Sequence, residues 1–225
     1  KEPTRLTFYV EPLGTRCLFT TGNALRVTFK SARPHALKRD DLGSVLMDRA
    51  YRSPVAYELD TFIGDAGSKT LLSTHRERFV RKSCLTLPPN VDRERLRQYA
   101  RRALRDRRVP EGGGSLRAAG ALAAHLRQRY TYSLDVESTG RGEKVQEFLY
   151  TSRKGHCELF ASAHVFLLRA QGIPARLVTG FHGGEWNEWS SSYTLRQRDA
   201  HAWVEAYTED GWRTFDPTPA GPSAG

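Results

Sequence analysis

Long apolar runs, paired cysteines and calcium-loop patterns are all missing from this chain of 225 residues. No stretch approaches the ~20 consecutive apolar residues that cross a bilayer, so no membrane span is expected within it. There are three cysteines, Cys17, Cys84 and Cys157, far apart and never in a C-x-x-C pair. That excludes the common structural zinc spacings, and no metal or organic cofactor is called for. In an oxidising compartment Cys17 and Cys84 can pair, although two separate buried thiols would read the same way. Pairing would leave Cys157 as the odd free thiol. A secretory leader is also missing and the first residue is Lys1, which suits a processed or excised piece of a longer protein.

What is present is a basic, globular composition. Hydrophobic residues make up 39% and charged residues 27%, with a net charge of +10, enough apolar content for a core without disulfide staples. Most of the excess charge is arginine in "DRERLRQYARRALRDRRVP" (92–110). Within it Leu96, Tyr99, Ala100, Ala103 and Leu104 recur at helical spacing and form one apolar stripe. The arginines of this 93–108 helix read as a solvated face, partly paired with Glu94 and Asp106. An acidic partner or an anionic lipid or cell-wall surface is the competing reading. No recognition helix, zinc spacing or RNA-binding aromatic signature accompanies the charge, so nucleic acid is not expected.

The pattern changes near residue 88. Before it, 5–12, 16–21, 25–30, 55–63 and 77–88 alternate β-branched and aromatic residues with polar ones, as strands of a small β-rich domain over 1–88. After it, Asn90 or Asp92 can cap the basic helix, and Ser115 can cap a second helix near 116–129. Residues 130–136 read as extended, 136–144 as a polar loop and 145–150 as a short apolar segment. A central helix over 157–171 precedes strands at 175–181, 192–197, 201–208 and 212–216, with a Gly- and Trp-containing loop at 182–191. Helices followed by a run of strands predict an α+β domain over 89–225, helices packed on an antiparallel sheet.

Cys157 occupies the first turn of that central helix, where unpaired backbone N–H groups stabilise a thiolate. Gly155, just before it, permits close backbone approach. A buried Cys packed as a small hydrophobe is the bland alternative. A partner base tips the balance. If residues 208–211 close a hairpin with Tyr207 opposite Trp212, Trp203 falls opposite Asp216. His201 then shares the Trp203 face, diagonal to that carboxylate and within side-chain reach. Separately, His201 reads as a strand-edge residue and Asp216 as the start of an Asp-Pro turn. Together with Cys157 they form the set in which a thiol attacks a carbonyl, an imidazole carries the proton and a carboxylate fixes the imidazole.

The stretches "EFLYTSRKGHCELFASA", "LLRAQGIPARLVTGFHGGEWN", "RDAHAWVEAY" and "GWRTFDPTPA" resemble the transglutaminase-like superfamily of papain-type thiol enzymes. Within it they are most similar to the bacterial membrane-anchored, TgpA-type branch. The resemblance implies a triad of Cys157, His201 and Asp216, with Glu158, Arg176 and Asp199 in supporting positions. It implies an acyltransferase that forms a Cys thioester with a protein or peptide glutamine and passes it to a primary amine or to water. A protease or amidohydrolase with the same triad is the alternative, and a non-catalytic cell-envelope interaction module is the third. It also implies a periplasmic domain of a membrane-anchored inner-membrane protein, with cell-envelope partners. The Cys157 N–H is one oxyanion donor and Tyr132 a candidate for the second, because the relatives that use a Trp carry it upstream and all four Trp here follow the cysteine. Trp186, Trp189 and Trp203 are candidate aromatic walls of the substrate channel. His156 reads as solvent-facing and His164 as a packing residue.

Overall fold

The computed structural model describes residues 2–21, 23–30, 35–63, 82–135 and 143–220. Two compact units divide the chain, residues 1–76 and 77–225.

The first unit contains β1 (Thr4–Val10), β2 (Cys17–Leu18), β3 (Asn23–Phe29), β4 (Leu37–Arg39), β5 (Val45–Met47) and β6 (Val55–Phe62). They form two antiparallel three-stranded sheets, ordered β1-β6-β3 and β2-β5-β4. The period-2 pattern of β6 explains its central place: Tyr57, Leu59 and Thr61 alternate on one side and are all fully buried. The polar atoms on that face are satisfied, since the Tyr57 hydroxyl donates to the Phe19 carbonyl at 2.7 Å and Thr61 to Thr21. Phe8 pairs with Tyr57 across the strands and stacks on it at 5.0 Å. The sequence pattern does not reveal β4 and β5, which at three residues each are too short to show a period.

The second unit begins earlier than expected. Residues 77–81 lie outside the described residues, but the segment that follows is a helical turn rather than the end of a strand. Its partners overrode its alternating pattern: Cys84 is buried against Trp212, and its carbonyl accepts the Ala175 N–H at 3.0 Å. Arg169 donates to the Thr86 carbonyl in the same place. All three cysteines are free.

Helix α1 (Arg93–Asp106) is capped by Asp92, whose carboxylate accepts the Arg95 N–H at 2.9 Å. It buries Leu96, Ala100 and Ala103, the expected stripe. On the basic face Glu94 accepts from Gln98 rather than from an arginine, and Arg95 stacks on the Tyr150 ring at 3.9 Å. Helix α2 (Ser115–Arg129) has Gly114 in the cap position, not Ser115. The cap comes from far away in sequence: the Glu209 carboxylate accepts the Leu116 N–H at 2.9 Å and the Ser115 hydroxyl at 2.8 Å. Its own backbone N–H, the Ser115 hydroxyl and the Leu116 amide hold that carboxyl down to about 2.

Strand β7 (Thr131–Tyr132) pairs in parallel with β8 (Lys154–Gly155), which follows a short helix α3 (Lys144–Glu147) and a π-helical turn at Phe148–Ser152. A hydrogen-bonded chain braces that turn. Tyr130 donates to the Leu149 carbonyl at 2.8 Å and meets the Tyr99 hydroxyl at 2.6 Å, which meets His125 at 2.9 Å. Helix α4 (Cys157–Ala170) runs through the centre of the core, with Phe160, Leu167 and Leu168 fully buried. Each such side chain contributes about 1.5–3 kcal/mol. Beyond it come β9 (Ala175–Phe181), β10 (Glu185–Asn187), β11 (Ser192–Thr194), β12 (Ala200–Thr208) and β13 (Gly211–Phe215). The sheet is antiparallel, ordered β13-β12-β9. Ala202, Val204 and Ala206 form the β12 face in the same core as α4, small enough for a close helix approach. The expected loop at 182–191 contains half of a separate hairpin, β10–β11.

Candidate active site

Cys157 is the first residue of α4, so its position follows from what precedes it. Gly155 pairs with Tyr132, and the Ser133 N–H donates to the Gly155 carbonyl at 2.8 Å. A Cβ at Gly155 would lie 2.9 Å from Leu159 and 3.0 Å from the Phe148 ring, so only glycine lets the chain pass between them. His156 precedes the helix with extended backbone and makes no side-chain cap. The sulfur atom is therefore delivered to the head of a buried helix, half-buried itself and packed against the core. Outward-pointing first-turn amides make that place electropositive.

His201 and Asp216 meet as the hairpin register requires. Tyr207 pairs with Trp212 and Val204 with Phe215, closing a two-residue turn at Glu209-Asp210. The His201 Nε2–H donates to Asp216 Oδ2 at 2.7 Å. The other carboxylate oxygen, Oδ1, accepts the Thr218 N–H at 2.9 Å, so Asp216 makes the Asp-Pro turn and the histidine contact at once. Arg127 of α2 donates to the Asp216 backbone carbonyl. With Nε2 engaged, Nδ1 is the ring nitrogen left for chemistry.

Tyr132 lies beside the cysteine. Burial first, then the Cys157 charge, raises its phenol above the ordinary value, so it keeps an O–H to donate. Trp203 packs its indole over Gly180, where a Cβ would lie 2.8 Å from the ring, and its ring is 6.3 Å from that of His201. Trp186 stands apart on the β10–β11 hairpin, 4.8 Å from Tyr193, and Trp189 is fully exposed. Glu158 is exposed in the first turn of α4. Arg176 pairs with Glu205, Nε to Oε2 at 2.7 Å, and lies over the Trp212 ring at 4.5 Å. It is four residues along β9 from Gly180, the cross-strand partner of His201. Asp199 accepts the Arg196 N–H at 2.7 Å, fixing the short turn that leads into His201.

His164 is a packing residue. Burial lowers it to about 4, so it is neutral, and its Nε2 meets the Ala119 carbonyl at 3.0 Å. Sequence reasoning did not single out His182. It follows β9 directly, its N–H donates to the Asp199 carbonyl at 2.9 Å, and its ring lies 5.5 Å from that of His201. The signal that finds it is the β9–β12 register, which pairs Gly180 with His201 and Phe181 with Ala200.

A family model described as the transglutaminase-like superfamily matches residues 98–217, more than half of the chain. A protein-glutamine gamma-glutamyltransferase of Pseudomonas aeruginosa is 45% identical over 104 residues, 44% of this chain and 15% of that protein. The Bacillus subtilis protein YebA is 41% identical over 96 residues, 40% of this chain and 13% of its own length. The matched stretch is thus a small part of both relatives. In three dimensions the periplasmic domain of TgpA from P. aeruginosa superimposes with a TM-score of 0.75 at 26% identity, over 96% of this chain and 70% of that domain.

Proposed function

Because the chain belongs to the transglutaminase-like superfamily, we propose that it is a thiol acyltransferase of the protein-glutamine gamma-glutamyltransferase type, with Cys157, His201 and Asp216 as its triad. The observation that carries the reading is the 2.7 Å His201–Asp216 bond on a strand packed against the helix that Cys157 heads.

In this reading the Cys157 thiol gives its proton to His201 Nδ1 and its sulfur attacks a glutamine carboxamide carbon. The oxyanion is met by the Cys157 backbone N–H and the Tyr132 hydroxyl. The C–N bond then breaks, the departing ammonia takes the proton from His201, and a thioester remains. A primary amine attacks that thioester, gives its proton to His201, and the sulfur leaves as a thiol once more. Water in place of the amine yields the deamidated side chain. Asp216 holds the imidazole by its Nε2–H and stabilises its charge without itself reacting. Trp203, and Trp186 if the hairpin closes over substrate, serve to keep water from the thioester.

Similarity to the TgpA periplasmic domain supports a place outside the cytoplasmic membrane, in a membrane-anchored chain with protein substrates and cell-envelope partners. Among the described residues no helix is long and apolar enough to cross a membrane. The test is a mass-spectrometric search for amine-tagged glutamines in protein mixtures. Wild type should label them and Cys157→Ala should not. Cleaved peptide bonds without tagged glutamines would replace transfer by hydrolysis.

A further inference from the structure

His182 adds to the His201–Asp216 pair a group that acyl transfer does not require. One ligand atom from each of His182, His201 and Asp216 lies within 4.8 Å of the other two. Two imidazoles and a carboxylate suit a borderline transition-metal ion far better than calcium or magnesium, which take oxygen ligands. Zinc binds nitrogen and oxygen at about 2.0–2.2 Å, which sets neighbouring ligand atoms about 3.4 Å apart in a tetrahedral shell. The cluster brackets that spacing: the 2.7 Å His201–Asp216 contact must open slightly, and His182 must swing in. His182 is free to do so because its side chain is exposed. Its backbone is meanwhile fixed by the bond to Asp199. Gly183 and Gly184 follow it, both at positive φ.

We propose that His182, His201 and Asp216 form a site for a divalent transition-metal ion of the zinc class, reached from solvent where β9 ends and β12 begins. A neutral imidazole has one lone pair, and its second nitrogen carries the hydrogen. An ion held by either nitrogen of His201 takes that pair and leaves the hydrogen on the other, so the ring loses its capacity to accept a proton. On the acyl-transfer reading, which this consequence rests on, occupancy switches the triad off, and removal of the ion restores it.

The experiment is calorimetric titration of Zn2+ alone into the full chain carrying Cys17→Ser and Cys157→Ser, so that accessible thiols do not compete. No acyl donor or acceptor is present, so the outcome is independent of whether the chain transfers acyl groups. One saturable equivalent is expected. His182→Gln and Asp216→Asn, each checked for unchanged circular dichroism, should weaken binding about tenfold or more. Failure to see saturable binding in the micromolar range overturns the proposal. So does binding that survives both substitutions, which would place the ion elsewhere.

Discussion

The two faces of β12 differ in what they are made of and in what they do. Ala202, Val204 and Ala206 point into the core that α4 fills, and none exposes more than 1% of its surface. His201, Trp203, Glu205 and Tyr207 alternate with them and are only half-buried. Strand periodicity alone sorts the residues in this way. One strand therefore anchors the helix that carries Cys157 with one set of side chains and presents the histidine with the other. Stability and chemistry should then respond to different substitutions at adjacent positions of the strand.

The largest effect expected is on the half-buried face. Asp216→Asn keeps the size of the side chain, but its amide no longer holds His201 by an acceptor of full charge. Amine incorporation should fall by about 10³–10⁴-fold, with thermal unfolding near that of wild type. A variant that retained wild-type rate would remove the carboxylate from the mechanism. On the core side, His164 is held neutral, down to about 4 from the ordinary 6.5. Burial is the main cause, opposed by the Ala119 carbonyl and Asp216 and reinforced by Arg127. Because the folded value is depressed, the unfolded chain binds the proton first. This contribution is complete above pH 6.5 and is lost as the pH falls towards 4, on the order of 3 kcal/mol across the window. Denaturant titrations should show His164→Leu with a flatter pH dependence than wild type. Parallel curves would mean that His164 takes up its proton alike in the folded and unfolded chains.

Ala206→Leu tests the core face of β12 directly. Overpacking against α4 should cost about 1–3 kcal/mol of stability while activity per folded molecule is kept. Its mirror image is Gly180→Ala, beneath Trp203, which should leave stability nearly unchanged. A methyl group there meets the indole at 2.8 Å, and shifting the ring should lower amine incorporation about tenfold. Equal effects of the two substitutions on both readouts would erase the distinction between the faces.

Much of this division was legible in the sequence. The stripe of α1, the apolar helix headed by Cys157 and the Tyr207–Trp212 register all follow from local periodicity and one turn, so His201 and Asp216 could be placed together before any coordinates. What escaped depends on partners distant in the chain. The Glu209 cap on α2 and the docking of Cys84 on Trp212 join segments that share no local signal. The β10–β11 hairpin is three residues long on each side and exposed, and the Gly183-Gly184 pair before it and the serines in its turn resemble a loop. His182 escaped because its neighbour His201 is reached only through the register of β9 on β12. The assignment of Cys157, by contrast, came from its place at a helix start and from the quoted motifs. Arg176, expected near the site, is paired with Glu205 further along the sheet.

The central claim is that the sulfur at the head of α4 exchanges a proton with the imidazole at the start of β12. The direct measurement is the rate of iodoacetamide modification at neutral pH, read separately at Cys17 and Cys157 by peptide mass spectrometry, in wild type and in His201→Ala. The account predicts that Cys157 reacts much faster than Cys17 in wild type and loses at least tenfold of that rate when the imidazole is removed. Equal Cys157 rates in the two proteins would contradict it.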